Sequence, residues 1–293
     1  MPAYLGVVLL AFLLIHSIPG GPFDTGAIRP PETTTFLEDQ YHLNDPLWKQ
    51  FGYYLDGVLH GDFGESLTRR GLIVSDVIQT RFPRSLILGL TGLGVALIVG
   101  IPAGIISSVR RNRPADYSLM VGATLAYAIP NFVLSLLLIL FFGLALGWFP
   151  LGGWGTPQHV VLPAIALGLP WAGLVARLTR AAMLDVLRED YMRLATVKGL
   201  GPVRVTLRHG FRNALLPLTT VIAILTAELI TGSLIIEVIF GIPGIGQEMV
   251  NSVLASDYTM VLGLVIFYAT IIFIANFIAD ISYALLDPRI RSG

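Results

Sequence analysis

At 293 residues the chain is long enough for one or two soluble domains, but 54% of it is hydrophobic and only 13% charged, with a mean hydropathy of +0.74, which places it among membrane proteins. Nineteen Lys and Arg balance nineteen Asp and Glu, so nothing in the charge points to nucleic acid. The absence of cysteine excludes thiolate metal sites and disulfides. No GxxxxGK[ST] sequence occurs, so any ATP that drives the protein is bound by another chain.

The first apolar run, Tyr4–Ile18, is followed by Pro19-Gly20-Gly21. It has neither a basic n-region nor an A-x-A site, and it reads as a membrane helix rather than a secretory signal. Counted from Pro2, about 17 residues rise only about 26 Å, short for a hydrocarbon core of about 30 Å. From Gly21 to Arg84 the chain is polar, with several Pro and Gly. Within it Leu47, Phe51, Tyr54, Leu55, Val58 and Leu59 share one helical face behind the start signal Asn44-Asp45-Pro46. His60–Ser66 (HGDFGES) reads as a turn and Val74–Arg81 as a second short helix. This periodicity favours a small helical external subdomain over a flexible loop.

Five more spans follow. They are Leu86–Ile106, Ser118–Trp148 with a kink expected at Pro130, a fourth that Val160 to about Leu174 begins and that Pro163 and Pro170 interrupt, Leu215–Phe240, and Val261–Leu286. Phe149–His159 is a short Pro/Gly loop, and Gly241–Tyr258 is a loop carrying a re-entrant or surface helix. The punctuation at Gly100-Ile101-Pro102-Ala103-Gly104, Pro130, Pro170 and Pro217 marks places where helices bend or pack closely, and packing is the safer reading.

Charge asymmetry orients the spans. Thirteen Lys and Arg lie on one side: three between the second and third spans, eight from Arg177 to Arg212, and two in the Asp287–Arg291 tail. The other side carries six, all between Arg29 and Arg84, and its two short loops carry none. The Arg177–Arg212 side is therefore cytoplasmic, and the Gly21–Arg84 region faces outward.

The longest basic segment outside the spans, Arg188–Pro217, reads as helix, turn, helix. Asp190, or Asp185 a turn or so earlier, lies near its start, and Tyr191, Leu194, Ala195 and Val197 give a mixed apolar face. Gly199-Leu200-Gly201 breaks the helix, and Pro202 suits the first turn of the next. Ala195 and Gly199, small residues at i and i+4, leave room for another surface to approach the backbone. The bland reading of the same stretch is an amphipathic helix lying on the membrane.

Nothing in the sequence looks catalytic. His16, His42, His60, His159 and His209 are not paired at ligand spacing, and neither HExxH nor GxSxG occurs. Three carboxylates fall in apolar surroundings: Glu228 and Glu237 in the fifth span and Asp280 in the sixth. An ionisable group at a helix centre costs about 2.5–3.5 kcal/mol on insertion scales, so such groups face a cavity or a partner. Two readings stand for Glu228, which lies around mid-membrane with Thr231, Gly232 and Ser233 one turn on. It is either a translocation-path residue that meets a substrate ammonium, or a glutamate held by hydrogen bonds between helices.

DYMRLATVKGLG followed by RHGFRNALLPL resembles the cytoplasmic coupling loop of bacterial ABC importer permeases of the dipeptide/oligopeptide/nickel branch. TGSLIIEVIFGIPGIG and ADISYALLDPRIR are similar to further signatures of that family, and LNDPLW and LHGDFGESL look like its first external region, near which the binding protein docks. One departure is that the generic motif's Glu-Ala-Ala is Arg193-Leu194-Ala195 here, a pattern the peptide branch tolerates. The family carries a basic Arg-Arg segment before the first span, so the native first helix is expected to be a turn or two longer.

The resemblance implies an all-α membrane protein with six transmembrane helices, the transmembrane domain of a type I ABC importer. Residues 1–18 would be the first span, 19–85 an external helical loop, and 86–293 the core permease domain with its coupling loop at 177–214. Asp190, Tyr191, Arg193, Ala195, Lys198, Gly199, Leu200 and Gly201 would then meet an ATPase. Glu237 would anchor the outer end of the fifth span, and Asp280 would be satisfied near the cytoplasmic gate. The chain itself would hold no cofactor, since ATP and Mg2+ belong to two partner ATPases. A second, non-identical permease would complete the pore in the bacterial inner membrane, and an external binding protein would deliver peptide. A nickel or other small-solute permease of the same branch, an ATP-independent secondary transporter and a membrane scaffold are the alternatives. Absence of repeat symmetry makes the secondary transporter less attractive.

Overall fold

The polar-to-apolar boundary expected between Arg81 and Leu86 is not a helix end. In the computed structural model, which describes residues 2–17, 44–69, 71–231 and 234–286, Val74–Val109 is one 36-residue helix, about 54 Å long. Pro83 removes one backbone donor from it without stopping it, as prolines in membrane helices commonly do.

In chain order the helices are α1 (Pro2–His16), α2 (Leu47–Leu59), α3 (Val74–Val109), α4 (Pro114–Ala128), α5 (Asn131–Leu138, widening into a π-helix over Ile139–Ala145) and α6 (Gln158–Val186). They continue as α7 (Asp190–Val197), α8 (Pro202–Arg204, followed by a π-helix over Val205–Phe211), α9 (Arg212–Ile230), α10 (Leu234–Phe240), α11 (Ile245–Leu254) and α12 (Tyr258–Leu286). Among the described residues the only β-pairing is a single bridge between Glu65 and Ile73.

Among the described residues three helices are individually long and apolar enough to cross a bilayer: α3, α6 and, over Tyr258–Ile278, α12. The expected kink at Pro130 is a full corner. Pro114–Ala128 and Asn131–Ala145 meet at 102°, because Ile129, ahead of the proline, is extended (ψ 123°) and the helix must restart after it. Pro202–Leu215 and Pro217–Ile230 meet at 61°. In contrast, α6 runs 29 residues, Gln158–Val186, through Pro163 and Pro170, which the sequence reading expects to interrupt it. The described part of α1 is 15 residues, about 22 Å. The surface or re-entrant helix expected within Gly241–Tyr258 is α11.

The chain divides into two compact units, 1–84 with 243–273 and 85–242 with 274–293. In the first, α2 docks the middle of the face read from the sequence, while Leu47 and Leu59 at its ends are exposed. Phe51 lies edge-on to Phe12 at 5.2 Å, and Tyr54 and Leu262 close the same cluster. A second cluster joins Val74, Val77 and Ile78 to Ile245, Met260 and Leu264, with Phe82 and Phe267 edge-to-face at 5.0 Å.

This first unit is tied by buried carboxylates. Asp257, fully buried, caps α12 through the Met260 N–H (3.3 Å) and accepts the Leu67 N–H (3.2 Å), the Thr68 hydroxyl (2.9 Å) and the Ser66 hydroxyl. Glu248, equally buried, accepts from Arg69 and from Arg81 (2.9 Å), and Arg84 donates to the Pro243 carbonyl (2.9 Å). Replacing Asp257 by Ala strands these donors, each at a cost of about 1–3 kcal/mol. Asp257→Ala is therefore expected to open the 60–73 segment to limited proteolysis at least tenfold faster than in the wild type. Equal cleavage rates would show that the segment is held by its apolar contacts alone.

The second unit is built on a seam of small residues. Gly92, Ala96, Gly100 and Gly104 recur every four positions along α3, as Gly168, Ala172 and Ala176 do along α6. A Cβ on Gly168 would lie 2.2 Å from the Gly92 carbonyl oxygen, one on Gly100 2.7 Å from that of Ala172, and one on Gly104 2.5 Å from that of Ala176. The two backbones therefore touch directly, which is how membrane helices gain dispersion energy where no hydrophobic force distinguishes lipid from protein. Elsewhere in this unit Leu88, Leu134, Leu138, Leu162, Leu229, Ile236 and Phe240 form the main apolar core.

Candidate coupling surface

α7 has a core of its own. Met192 and Ala195 are buried with Val205, backed by Val186, Leu187 and Leu200. The Tyr191 hydroxyl accepts from Asn213 Nδ2 at 2.7 Å, which fixes the start of α7 to the start of α9. With one side so engaged, the helix leaves the other side apolar and open: Tyr191 is 40% exposed, Leu194 55% and Val197 83%. Val203 on α8 (70%) and Leu207 in the π-helix after it (49%) are also exposed.

Asp190, Arg193, Lys198, Gly199 and Gly201 are exposed around this face, with Asp190 and Arg193 a loose pair at 3.9 Å. Ala195 is a correction. It was expected to give clearance to an incoming surface, but its methyl packs inward on Met192 and Val205. At about 100° per residue, Ala195 and Val197 lie on nearly opposite sides of a helix and cannot share a face. Leu200 likewise belongs to the inner cluster. Gly199 matters for its backbone. At φ +78° it turns the chain out of α7 and donates its N–H to the Thr196 carbonyl at 3.0 Å, while nothing lies within 4 Å of the place a Cβ would occupy.

On α9, Pro217, Thr220, Ile224 and Glu228 are all exposed and spaced to form one stripe. Thr231 is engaged with its own helix, its hydroxyl donating to the Glu228 carbonyl at 2.8 Å and to that of Ala227 at 3.3 Å. Ser233 and the Asp280 side chain lie outside the described residues, as does the Asp287–Arg291 tail. Glu237 is fully buried in α10, and its backbone carbonyl accepts the Ile242 N–H at 2.8 Å, closing the turn after the helix.

Sequence reading missed the buried ion pairs, Glu248 with Arg69 and Arg81 in the first unit and Asp116 with Arg180 in the second. Arg180 grips Asp116 with both arms, Nε to Oδ1 at 2.7 Å and Nη2 to Oδ2 at 2.8 Å. The Ser107 hydroxyl and the Asn112 N–H (2.9 Å) also donate to Asp116, so α3, α4 and α6 converge on a single buried carboxylate. Among the described residues no cluster of three or more His, Cys, Asp or Glu is placed to hold a metal.

Residues 100–292 match the family described as the binding-protein-dependent transport system inner membrane component. The dipeptide transport system permease protein DppB of Bacillus subtilis (strain 168) is 42% identical over 97% of this chain and 92% of its own length. The oligopeptide transport system permease protein OppB of Escherichia coli (strain K12) is 39% identical over 99% of this chain and 96% of its own. Among solved structures, an inward-facing form of the MetNI methionine ABC transporter is similar in fold, with a TM-score of 0.58 at 16% identity, covering 72% of this chain and 96% of that one. A helical multi-pass chain with these matches belongs to the binding-protein-dependent transport system inner membrane components, as a permease subunit of an ABC importer.

Proposed function

We propose that this chain forms half of the pore of an importer for di- or oligopeptides. The observation that carries the coupling role is the open apolar face Tyr191–Leu194–Val197 on a helix whose opposite side is packed into the chain's own core. The names of the relatives, over nearly their whole length, support peptide as the cargo in preference to nickel. In this reading α7 and the C-terminus are cytoplasmic, and the 19–85 region faces outward, where a binding protein delivers substrate. Two ATPases hold ATP and Mg2+, and a second, homologous but non-identical permease completes the pore. This chain binds no cofactor of its own. Closure of the ATPases on ATP draws the two α7 helices together and rocks the spans between inward- and outward-facing states, a rigid-body change and not chemistry in this chain.

Purification through a tag on this chain, followed by ATPase assay in proteoliposomes, tests the proposal. Recovery of an ATPase and a second permease, with hydrolysis stimulated by a binding protein and peptide, is the expected result. A lone chain moving solute down an ion gradient would overturn it.

Glu228 supplies a finer expectation. It stands on the exposed stripe of α9, open to a pore or to the second permease. Glu228→Gln is expected to lower uptake of peptides with a free amino terminus about tenfold, the loss of one charge-assisted contact, and to leave N-acetylated peptides unchanged. An unaltered substrate profile would assign the residue to packing between helices.

A further inference from the structure

The last turn of α3 and the start of α8 enclose a groove of about 370 Å³, lined by Ile106, Val109, Arg110, Val203 and Leu207 among others. That volume falls within the range of about 300–1,000 Å³ usual for ligand-sized clefts. Its walls are apolar and open, with Val109 54% and Val203 70% exposed. Its depth is set by the sequence. The apolar run of α3 ends at Val109 and gives way at once to Arg110, Arg111 and Arg113, the transition from hydrocarbon to headgroup. Arg204 and Arg208 follow Val203 and Leu207 directly in sequence. All five arginines are exposed, and among the described residues none has a carboxylate within 4.0 Å, whereas Arg180 is fully matched by Asp116. An aliphatic slot with the Arg110 guanidinium in its wall, and four more exposed arginines on the segments that form it, is complementary to a molecule with a hydrocarbon tail and an anionic head.

We propose that this groove holds an anionic phospholipid, one acyl chain lying along Ile106, Val109, Val203 and Leu207 and the phosphodiester meeting Arg110, with Arg204 and Arg208 alongside. Basic pockets between membrane helices at this depth bind acidic headgroups. An acidic protein segment fits less well, because its backbone N–H and C=O groups would need partners that an aliphatic wall does not supply.

Native mass spectrometry of the complex purified through this chain tests the site, with phosphatidylglycerol and phosphatidylethanolamine as probes. The expected result is one phosphatidylglycerol retained per copy of the chain, at least tenfold in preference to phosphatidylethanolamine. Three charge contacts should be worth about a hundredfold, so the triple variant Arg110→Gln, Arg204→Gln, Arg208→Gln is expected to lose phosphatidylglycerol to about that extent. The triple Lys variant, which keeps the charge, should retain it. Equal retention of the two lipids by the wild type, or retention of phosphatidylglycerol by the Gln variant as by the wild type, would overturn the proposal. So would displacement of the lipid by soluble glycerol phosphate, which would make the site one for free phosphate, or stoichiometric cross-linking of Val203→Cys to an ATPase, which would place protein in the groove.

Discussion

A complex carrying Leu194→Asp and Val197→Asp is expected to lose its ATPase subunits on purification, and uptake with them, by at least a hundredfold. Both side chains are exposed, 55% and 83%, and neither belongs to the Met192–Ala195–Val205 cluster, so α7 itself should fold as before. The cost falls on the interface. An apolar patch that an ATPase covers would now take two carboxylates out of water, at several kcal/mol per ion, while about 3 kcal/mol already corresponds to a hundredfold in affinity. The check is the ratio of ATPase to permease recovered on the tag, beside an unchanged far-ultraviolet circular dichroism spectrum. Stoichiometric ATPase with the double variant would mean that coupling occurs elsewhere. Gly199→Trp approaches the same surface from the backbone: at φ +78° any side chain other than Gly or Asn is strained. It should uncouple hydrolysis from uptake, and Gly199→Asn should be much milder.

The second large effect is on stability. Asp116→Ala leaves the Arg180 guanidinium, the Ser107 hydroxyl and the Asn112 N–H without their shared acceptor. Removing one member of a buried pair costs about 3–5 kcal/mol, and the lower end applies because the Arg180 side chain is still 26% exposed. For a chain of this size that is a fall of roughly 5–10 °C in the unfolding midpoint, measurable by tryptophan fluorescence in detergent. The matched double variant Asp116→Leu, Arg180→Met should recover more than half of the loss, since a pair replaced by apolar groups no longer carries an unmet charge. Equal midpoints for the single and double variants would show that the hydrogen bonds from Ser107 and Asn112, not the charge, are what matters.

Much of this architecture is legible from local rules. Apolar run length finds the spans, the period of Phe51, Tyr54, Leu55 and Val58 finds the packed face of α2, and Gly199 marks the end of α7 because only a residue at ease with positive φ suits that turn. The misses have a common cause. Pro83, Pro130, Pro163 and Pro170 look alike in sequence, yet one makes a corner of 102° and the others sit inside continuous helices. What differs is whether neighbouring helices hold the straight form, and that is a property of the packed bundle. Asp116 passes for an ordinary acidic residue in a first helical turn, and Arg180 for one more loop cation, because their pairing spans 64 positions and has no period. Ala195 is hard to place for a simpler reason: a small apolar residue suits either side of a helix, and only its angle to Val197 puts it on the inner one. Of the residues expected on the outer face of this segment, Ala195 and Leu200 belong to its inner cluster.

The seam between α3 and α6 limits how the bundle can deform. Where peptide groups meet with no side chains between them, there is no compliant layer to shear, and a shift of even an ångström would drive carbonyl oxygens into the facing backbone at Gly92, Gly100 and Gly104. Those two helices must therefore travel as a single slab through any transport cycle. The bending has to be absorbed where the helices are already bent, the corner at Ile129–Pro130 and the 61° bend at Pro217, which makes these two prolines the places where the cycle's mechanical compliance is stored.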